Sequence, residues 1–473
     1  MSQLLRHLPA VETLRRQPPL AELPDTIAVL LAREAIASVR AQVVAEELTT
    51  ATAVALALDH AVQSRALRLT QPSLRRIING SGVLLHTNAG RAPLAAGAIA
   101  AIAETARGYC NLELSLDDGR RGSRQEHVRQ LLCWLTGAED ALVVNNGAAA
   151  VLLALHALAA GRQVVVSRGE LVEIGGGFRV PEVMTAAGVA LVEVGTTNRT
   201  HLRDYQRALA RDKTAQISAL LQVHRSNFAL VGFTATPDLA ELAALAHAHD
   251  KPLIVDVGSG ALGGLAPAVH GAFDREPLVA DVLRQGADLV LFSGDKLVSG
   301  PQAGILVGKR AFVQQAAQSA MARALRVDNL TIAALEYVLR THLLGRASVE
   351  LPALAAVGMS AAAVQNLAEA LAAHLRASLP ATWQISATPS EAQLGGGTDP
   401  LVRLPSVCLA VQHDRLRGPD LQQRLLSAKV PVIGRVRGDV LWLDVRTLAA
   451  GQHGASAAVL GDELLASLQG LSP

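Results

Sequence analysis

From about Arg76 to Val307, short apolar runs alternate with stretches rich in Ala and Leu, and this alternation limits the fold more than any other feature. The runs predict strands at 141–144, 163–167, 190–194, 219–223, 253–257, 289–292 and 304–307. Helices are expected between them, for instance over 148–160 and 238–249. A strand–helix rhythm of this kind implies an α/β fold with a mostly parallel sheet covered on both faces. Residues 1–70 differ in texture: 27–47 and 50–67 carry apolar positions at helical spacing, with Pro18, Pro19 and Pro24 marking turns before them. From about Ser348 a smaller α/β unit is expected, with a helix over 360–378, the glycine run Gly395–Gly397, and strands near 407–411 and 441–445. A helical connection over 314–341 would join it to the large sheet. The expected division is a helical N-terminal domain (1–70), a large domain (71–345) and a small C-terminal α/β domain (346–473).

Charge and cysteine content mainly exclude. A net charge of +2 over 473 residues is not that of a histone-like protein. Cys110, Cys133 and Cys408 share no short spacing, against both a disulfide framework and a zinc knuckle. No metal site is expected. The first residues lack an apolar run followed by a small-residue cleavage site, and the most apolar window, 141–160, is interrupted by Asn145, Asn146, Gly147 and His156. A soluble, cytoplasmic protein that spans no membrane is the expectation.

Basic side chains are more telling, because only five of 43 are lysines: Lys213, Lys251, Lys296, Lys309 and Lys429. A lysine is ordinarily a solvated surface amine. Lys296 stands apart, following an apolar strand within Ser293-Gly294-Asp295-Lys296 and preceding Gly300-Pro301-Gln302-Ala303-Gly304. Loops at the carboxyl ends of parallel strands face the ligand crevice, where a lysine among small residues can hold a carbonyl as a Schiff base. Asp256 closes the strand at 253–257, and an acid there needs a partner. The ring nitrogen of pyridoxal phosphate would supply one. Asn145-Asn146-Gly147-Ala148, between a strand and a helix, offers backbone N–H groups to a phosphate. His224-Arg225-Ser226-Asn227 closes another strand and is either ordinary turn chemistry or a further cofactor contact. A rival motif, Gly258-Ser259-Gly260-Ala261-Leu262-Gly263, fits the dinucleotide fingerprint, but Gly264 and Pro267 disfavour the helix it requires.

With these residues in hand, the chain from about Leu74 to Arg446 resembles bacterial selenocysteine synthases, fold-type I pyridoxal-phosphate enzymes. The resemblance is carried by the segment Ile78 to Asn88 with Gly90-Arg91, by Asn111-Leu112-Glu113 through Arg121-Gly122-Ser123-Arg124, and by Glu173 to Gly176. Ser293-Gly294-Asp295-Lys296 with its tail and Arg323-Ala324-Leu325-Arg326-Val327-Asp328 complete it. It implies that Lys296 holds the cofactor, Asp256 its ring nitrogen, and Asn146, Gly147, Ala148 and Ser293 its phosphate. Asn227, His224 and Ser259 join the expected cofactor set, and either His224 or Glu173 stacks on the ring. The implied reaction converts seryl-tRNA(Sec) to selenocysteinyl-tRNA(Sec): the serine hydroxyl is eliminated and selenium from selenophosphate adds to the aminoacrylyl intermediate. Arg91, Arg124, Arg323 and Arg326 are the implied anion-binding residues, and Arg323 and Arg326 would share a face if helical. Arg446 lies where relatives hold a substrate carboxylate, which an esterified substrate lacks. The resemblance also implies tRNA binding by the N-terminal unit and a homo-oligomer, a dimer at least and a decamer of five dimers in the family.

Some positions depart from the family pattern. Gly147 stands where a third asparagine is usual, Gly177 where a serine is usual, and Arg225 where a threonine is usual. These loop changes keep backbone donors and put only side-chain contacts in doubt. Two other readings compete. One is a pyridoxal-phosphate lyase acting on a small amino acid or amino sugar phosphate, whose kind tends to lack the N-terminal unit. The other is an RNA-binding or scaffold protein without a cofactor, which would leave Lys296 and Asp256 unexplained. Charge does not decide between them, since residues 1–70 carry seven arginines and seven acids.

Overall fold

The computed structural model describes residues 2–174, 177–273, 275–451 and 456–470. The chain parts into two compact units, Met1–Arg76 and Ile77–Pro473. In the first, α1 (Asp25–Val44) and α2 (Ala51–Thr70) bury facing apolar stripes. Ala28, Ala32, Ala35, Val39 and Val43 on α1 recur at helical spacing against Val54, Leu58 and Val62 on α2. Thr50 starts α2, its hydroxyl oxygen accepting the Ala53 N–H at 3.1 Å.

The second unit is built on a seven-stranded sheet. Along the chain come β1 (Asp140–Val144), α3 (Gly147–Ala159), β2 (Gln163–Ser167), β3 (Ala190–Val194) and β4 (Ile217–Val223). Then follow α4 (Leu239–Ala248), β5 (Leu253–Gly258), β6 (Leu289–Ser293) and β7 (Gly304–Gly308). The spatial order is β1-β7-β6-β5-β4-β2-β3. Only β7 is antiparallel to its neighbours, so the other six strands run the same way. All seven expected strands are present, two with the expected ends and five with an end moved by one or two residues. Alternate residues pack into two separate cores: Leu142, Leu221, Ile254 and Leu291 on the α3 face, Val143, Leu220, Val255 and Val290 on the other. Burial on both faces is why the runs read as continuously apolar.

The connection expected as one helical stretch over 314–341 is three helices, α5 (Arg310–Gln318), α6 (Ala320–Ala324) and α7 (Asn329–Leu343). Ser319 and Asp328 break it, each accepting a backbone N–H that starts the next helix. Beyond α7, α8 (Ala361–Ser378) covers an antiparallel sheet of β8 (Trp383–Ala392), β9 (Leu404–His413), β10 (Arg435–Arg437) and β11 (Val440–Asp444), in the order β8-β9-β11-β10. Ile78–Asn79 pairs with Val432–Ile433, and Leu84 and Leu85 donate to the carbonyls of Gln393 and Leu394. The segment entering the large sheet is thereby stitched to the small one. Among the described residues no single helix is long and apolar enough to cross a membrane.

Candidate active site

Three strand ends build one pocket at the carboxyl edge of the sheet, where an α/β fold places its ligands. At the end of β1 the Asn146 side chain accepts the Ala149 N–H at 2.8 Å and starts α3 at Gly147. The N–H groups of Gly147 and Ala148 belong to the first turn, whose donors have no intrahelical acceptor. With the dipole of a 13-residue helix behind them, they suit an anion. A Cβ on Gly147 would stand 2.5 Å from Ser293 Oγ, so the glycine keeps the cradle between α3 and β6 open. Gly304 does the same below it: a Cβ there would lie 1.9 Å from the Asn146 carbonyl oxygen.

Asp256 lies two residues after Ile254 on β5 and so faces the α3 side of the sheet. It is 7% exposed, and its Oδ1 accepts the Gly258 N–H at 3.0 Å. Burial raises its carboxyl pKa, while the Lys296 cation, the Gly258 N–H and His224 oppose the rise. Lys296 is 4% exposed on a loop closed by Gly294 N–H to Ala303 O (2.9 Å), Gly300 N–H to Gly294 O (2.8 Å) and Leu297 N–H to Ser259 O (3.0 Å). Burial, then the Arg91 cation, lower the amine's pKa against the pull of Asp256, Asp295 and Glu276. The amine is therefore more readily neutral than a surface lysine. Arg91 is itself tied to Asp295 at 2.9 Å.

The pocket is lined by Arg91, Asn146, Gly147, Ala148, Val151, Asp256, Gly258, Ser293, Lys296 and Gln302. An open glycine cradle at a helix N-terminus, a buried carboxyl and a buried amine of lowered basicity fit the phosphate, ring nitrogen and aldehyde of pyridoxal phosphate.

Other expected site residues lie elsewhere. Val223 shares Asp256's face, so His224, one residue on, points to the opposite side. There it lines a separate cavity of about 420 Å³ with Glu170 and Glu276, its Nε2 3.6 Å from Glu276 Oε2. Its backbone N–H still donates to Asp256 O at 2.8 Å. Ser259 donates its hydroxyl to Glu276, and Asn227 donates its amide to Glu173 O at 2.7 Å. Gly175 and Gly176, quoted for the resemblance, lie outside the described residues. Arg124 holds Glu113 through two nitrogens at 2.8 and 2.9 Å, and Arg121 and Arg326 add bonds at 3.1 and 3.3 Å. Arg124 above all keeps the Glu113 carboxyl pKa below its usual range.

Arg323 and Arg326 do not share a helical face. Arg323 is in the last turn of α6, and the helix ends at Ala324 because the chain next pairs with β1: Asn145 N–H donates to Leu325 O at 3.0 Å and Arg326 bridges Val144. Arg446 is fully buried, donating to the carbonyls of Ala356, Val357, Met359 and Pro405, and does not reach the pocket. The dinucleotide fingerprint after β5 has no helix before Pro267. Sequence reasoning missed Gly258 and Gln302, although Gln302 stands within the Gly-Pro-Gln-Ala-Gly tail. Within the expected segment His224–Asn227, Ser226 is fully buried with no partner for its Oγ, 3.2 Å from where a Cβ on Gly258 would sit.

Comparison with known proteins agrees in extent with this unit. The family described as L-seryl-tRNA selenium transferase matches residues 77–449. An L-seryl-tRNA(Sec) selenium transferase of Geobacter metallireducens is 49% identical, covering 83% of this chain and 84% of its own. That of Desulfomicrobium baculatum is 43% identical over 97% of this chain and all of its own. Among solved structures, D-glucosaminate-6-phosphate ammonia-lyase superposes with a TM-score of 0.55 at 20% identity, covering 86% of this chain and 98% of that one, a likeness of fold alone. The chain belongs to the L-seryl-tRNA selenium transferase family.

Proposed function

We propose that this chain is a pyridoxal-phosphate-dependent enzyme that converts seryl-tRNA(Sec) to selenocysteinyl-tRNA(Sec) with selenophosphate as the selenium donor. The observation that carries the reading is the convergence of Lys296, Asp256 and the Gly147 cradle in one pocket, within a chain whose relatives match it almost end to end. Bound cofactor supplies an electron sink for negative charge at the serine α-carbon. Gly147 and Ala148 N–H groups with the Ser293 hydroxyl bind its phosphate. Asp256 keeps a proton at its ring nitrogen, with Oδ1 already committed to Gly258 and the other oxygen left for that contact. Lys296 Nζ, buried and lowered in basicity, would hold the cofactor and would serve as the base at the serine α-carbon.

Departure of the serine hydroxyl and arrival of selenium need an anion site. Arg91 in the pocket wall is the nearest candidate. Arg124 and Arg326, gathered on Glu113 just beyond the Asn145–Asn146 turn, are the next, with Arg323 close enough to Arg326 to affect its ionisation. Glu113 orients these guanidinium groups without neutralising all of them. His224, Ser259 and Asn227 support the cofactor strands through backbone and side-chain bonds. The N-terminal unit is assigned to tRNA, and the protein to the cytoplasm as a homo-oligomer. The test offers purified protein seryl-tRNA(Sec) and free serine separately, each with selenophosphate. Selenium transfer to the tRNA-linked serine alone is the expected result. Turnover confined to free serine or another small amino acid would overturn the reading.

A further inference from the structure

The glycine run Gly395–Gly397 has no part in the site described so far. It lies in the loop joining β8 to β9, fixed from outside by Leu84 N–H to Gln393 O (3.0 Å) and Leu85 N–H to Leu394 O (2.6 Å). From inside, the Thr398 hydroxyl donates to Gly395 O at 2.7 Å. Its three glycines meet different surroundings. A Cβ on Gly395 would stand 2.7 Å from Leu85 O, and one on Gly396 would find nothing nearer than Thr87 Oγ1 at 3.5 Å. A Cβ on Gly397 would stand 2.5 Å from Lys296 Nζ, 2.7 Å from Cε and 3.3 Å from Cδ. Gly258 lies at the end of β5, where a Cβ would be 3.8 Å from Nζ. The reacting nitrogen thus lies close to two glycines, Gly258 at the end of a large-sheet strand and Gly397 in a loop of the small sheet.

We infer that Gly397 is a positioning residue for Lys296: by presenting bare backbone, the β8–β9 loop sets where the amine sits over the pocket. The inference rests on the assignment of Lys296 as the cofactor lysine. Gly397 also has φ +85°, a conformation an L side chain rarely adopts, so a purely conformational need for glycine is the competing explanation. The two differ in whether the effect of a side chain depends on Lys296 being there.

The test uses the full chain as wild type, Gly397→Ala, Lys296→Ala and the double variant, with Gly396→Ala as the neighbour that has room. Pyridoxal phosphate affinity is measured by equilibrium dialysis, the Lys296 linkage by visible absorbance, and folding by the thermal midpoint. Gly397→Ala is expected to weaken cofactor binding about tenfold and to diminish the visible band, as overpacking of a close contact does. In the Lys296→Ala background the same change should alter affinity by less than about twofold, because the colliding amine is gone. Gly396→Ala should match wild type. If Gly397→Ala alone does not fold, recovery of a folded, cofactor-binding double variant supports the inference, and failure of both overturns it. Equal weakening in both backgrounds, or no effect of Gly397→Ala, also overturns it. A visible band that survives Lys296→Ala would instead overturn the lysine assignment, and this inference with it.

Discussion

Replacing Asp256 by Asn tests the electrostatic half of the site with little steric change. The carboxyl is 7% exposed, and Asn keeps an oxygen to accept the Gly258 N–H now bonded at 3.0 Å. What is lost is one negative charge facing Lys296 and the cofactor's ring nitrogen. In the fold that loss is partly offset, because Asp256 no longer has to be ionised in a buried position and Asp295 and Glu276 still act on Lys296. The thermal midpoint should therefore move by only a few degrees. Toward the cofactor the substitution removes a charge-assisted hydrogen bond, for which about 1.5–3 kcal/mol is typical. At about 1.4 kcal/mol per decade, this weakens pyridoxal phosphate binding roughly 10- to 150-fold. The assay is a cofactor titration run in parallel with an analogue whose ring nitrogen is replaced by C–H. Wild type should lose affinity for the analogue by a similar factor, and Asp256→Asn, whose amide offers only a neutral hydrogen bond, should discriminate between the two ligands several-fold less. Equal discrimination by the two proteins would refute the contact between Asp256 and the ring nitrogen.

Three further outcomes follow from the geometry. Gly147→Ala should lower cofactor affinity about tenfold by crowding the cradle, and Ser293→Ala in addition should recover the thermal midpoint but not the affinity, since Ser293 Oγ is the atom met at 2.5 Å. Arg323→Ala should reduce selenium transfer more than it reduces linkage of the cofactor to Lys296; equal loss of both would count against an anion role. Burial lifts the Glu170 carboxyl from 4.5 to about 7, so the folded chain binds that proton more tightly than the unfolded one. Its contribution to stability is complete below pH 4.5 and lost as pH rises toward 7, about 3 kcal/mol in all. Glu170→Gln, which keeps an acceptor for the Val223 N–H, should stabilise the protein at pH 8 and hardly at pH 5 in urea unfolding. The same gain at both pH values would exclude this linkage.

The large sheet was legible because its strands are buried on both faces and read as unbroken apolar runs. Lys296, Asp256 and Gly147 were legible because each closes or follows such a run, where the chain must turn at the ligand edge. β8 was not: its sequence is half polar and includes Pro389, tolerated because the strand is at the edge of its sheet. His224 is expected as a cofactor contact by its place at a strand end and by the family resemblance, yet the two-residue period of β4 turns its side chain to the other face. The break between Arg323 and Arg326 depends on pairing with β1, nearly 200 residues earlier, and no local signal reports that. Gly397 is silent in sequence for the same reason, since only the fold brings it against Lys296.

The role of Lys296 is tested most simply by Lys296→Ala, reconstituted with pyridoxal phosphate and offered seryl-tRNA(Sec) and selenophosphate. The expected result is a folded chain without the visible absorbance of a lysine-linked cofactor and without selenocysteinyl-tRNA product. A variant that keeps either the band or the product would contradict it.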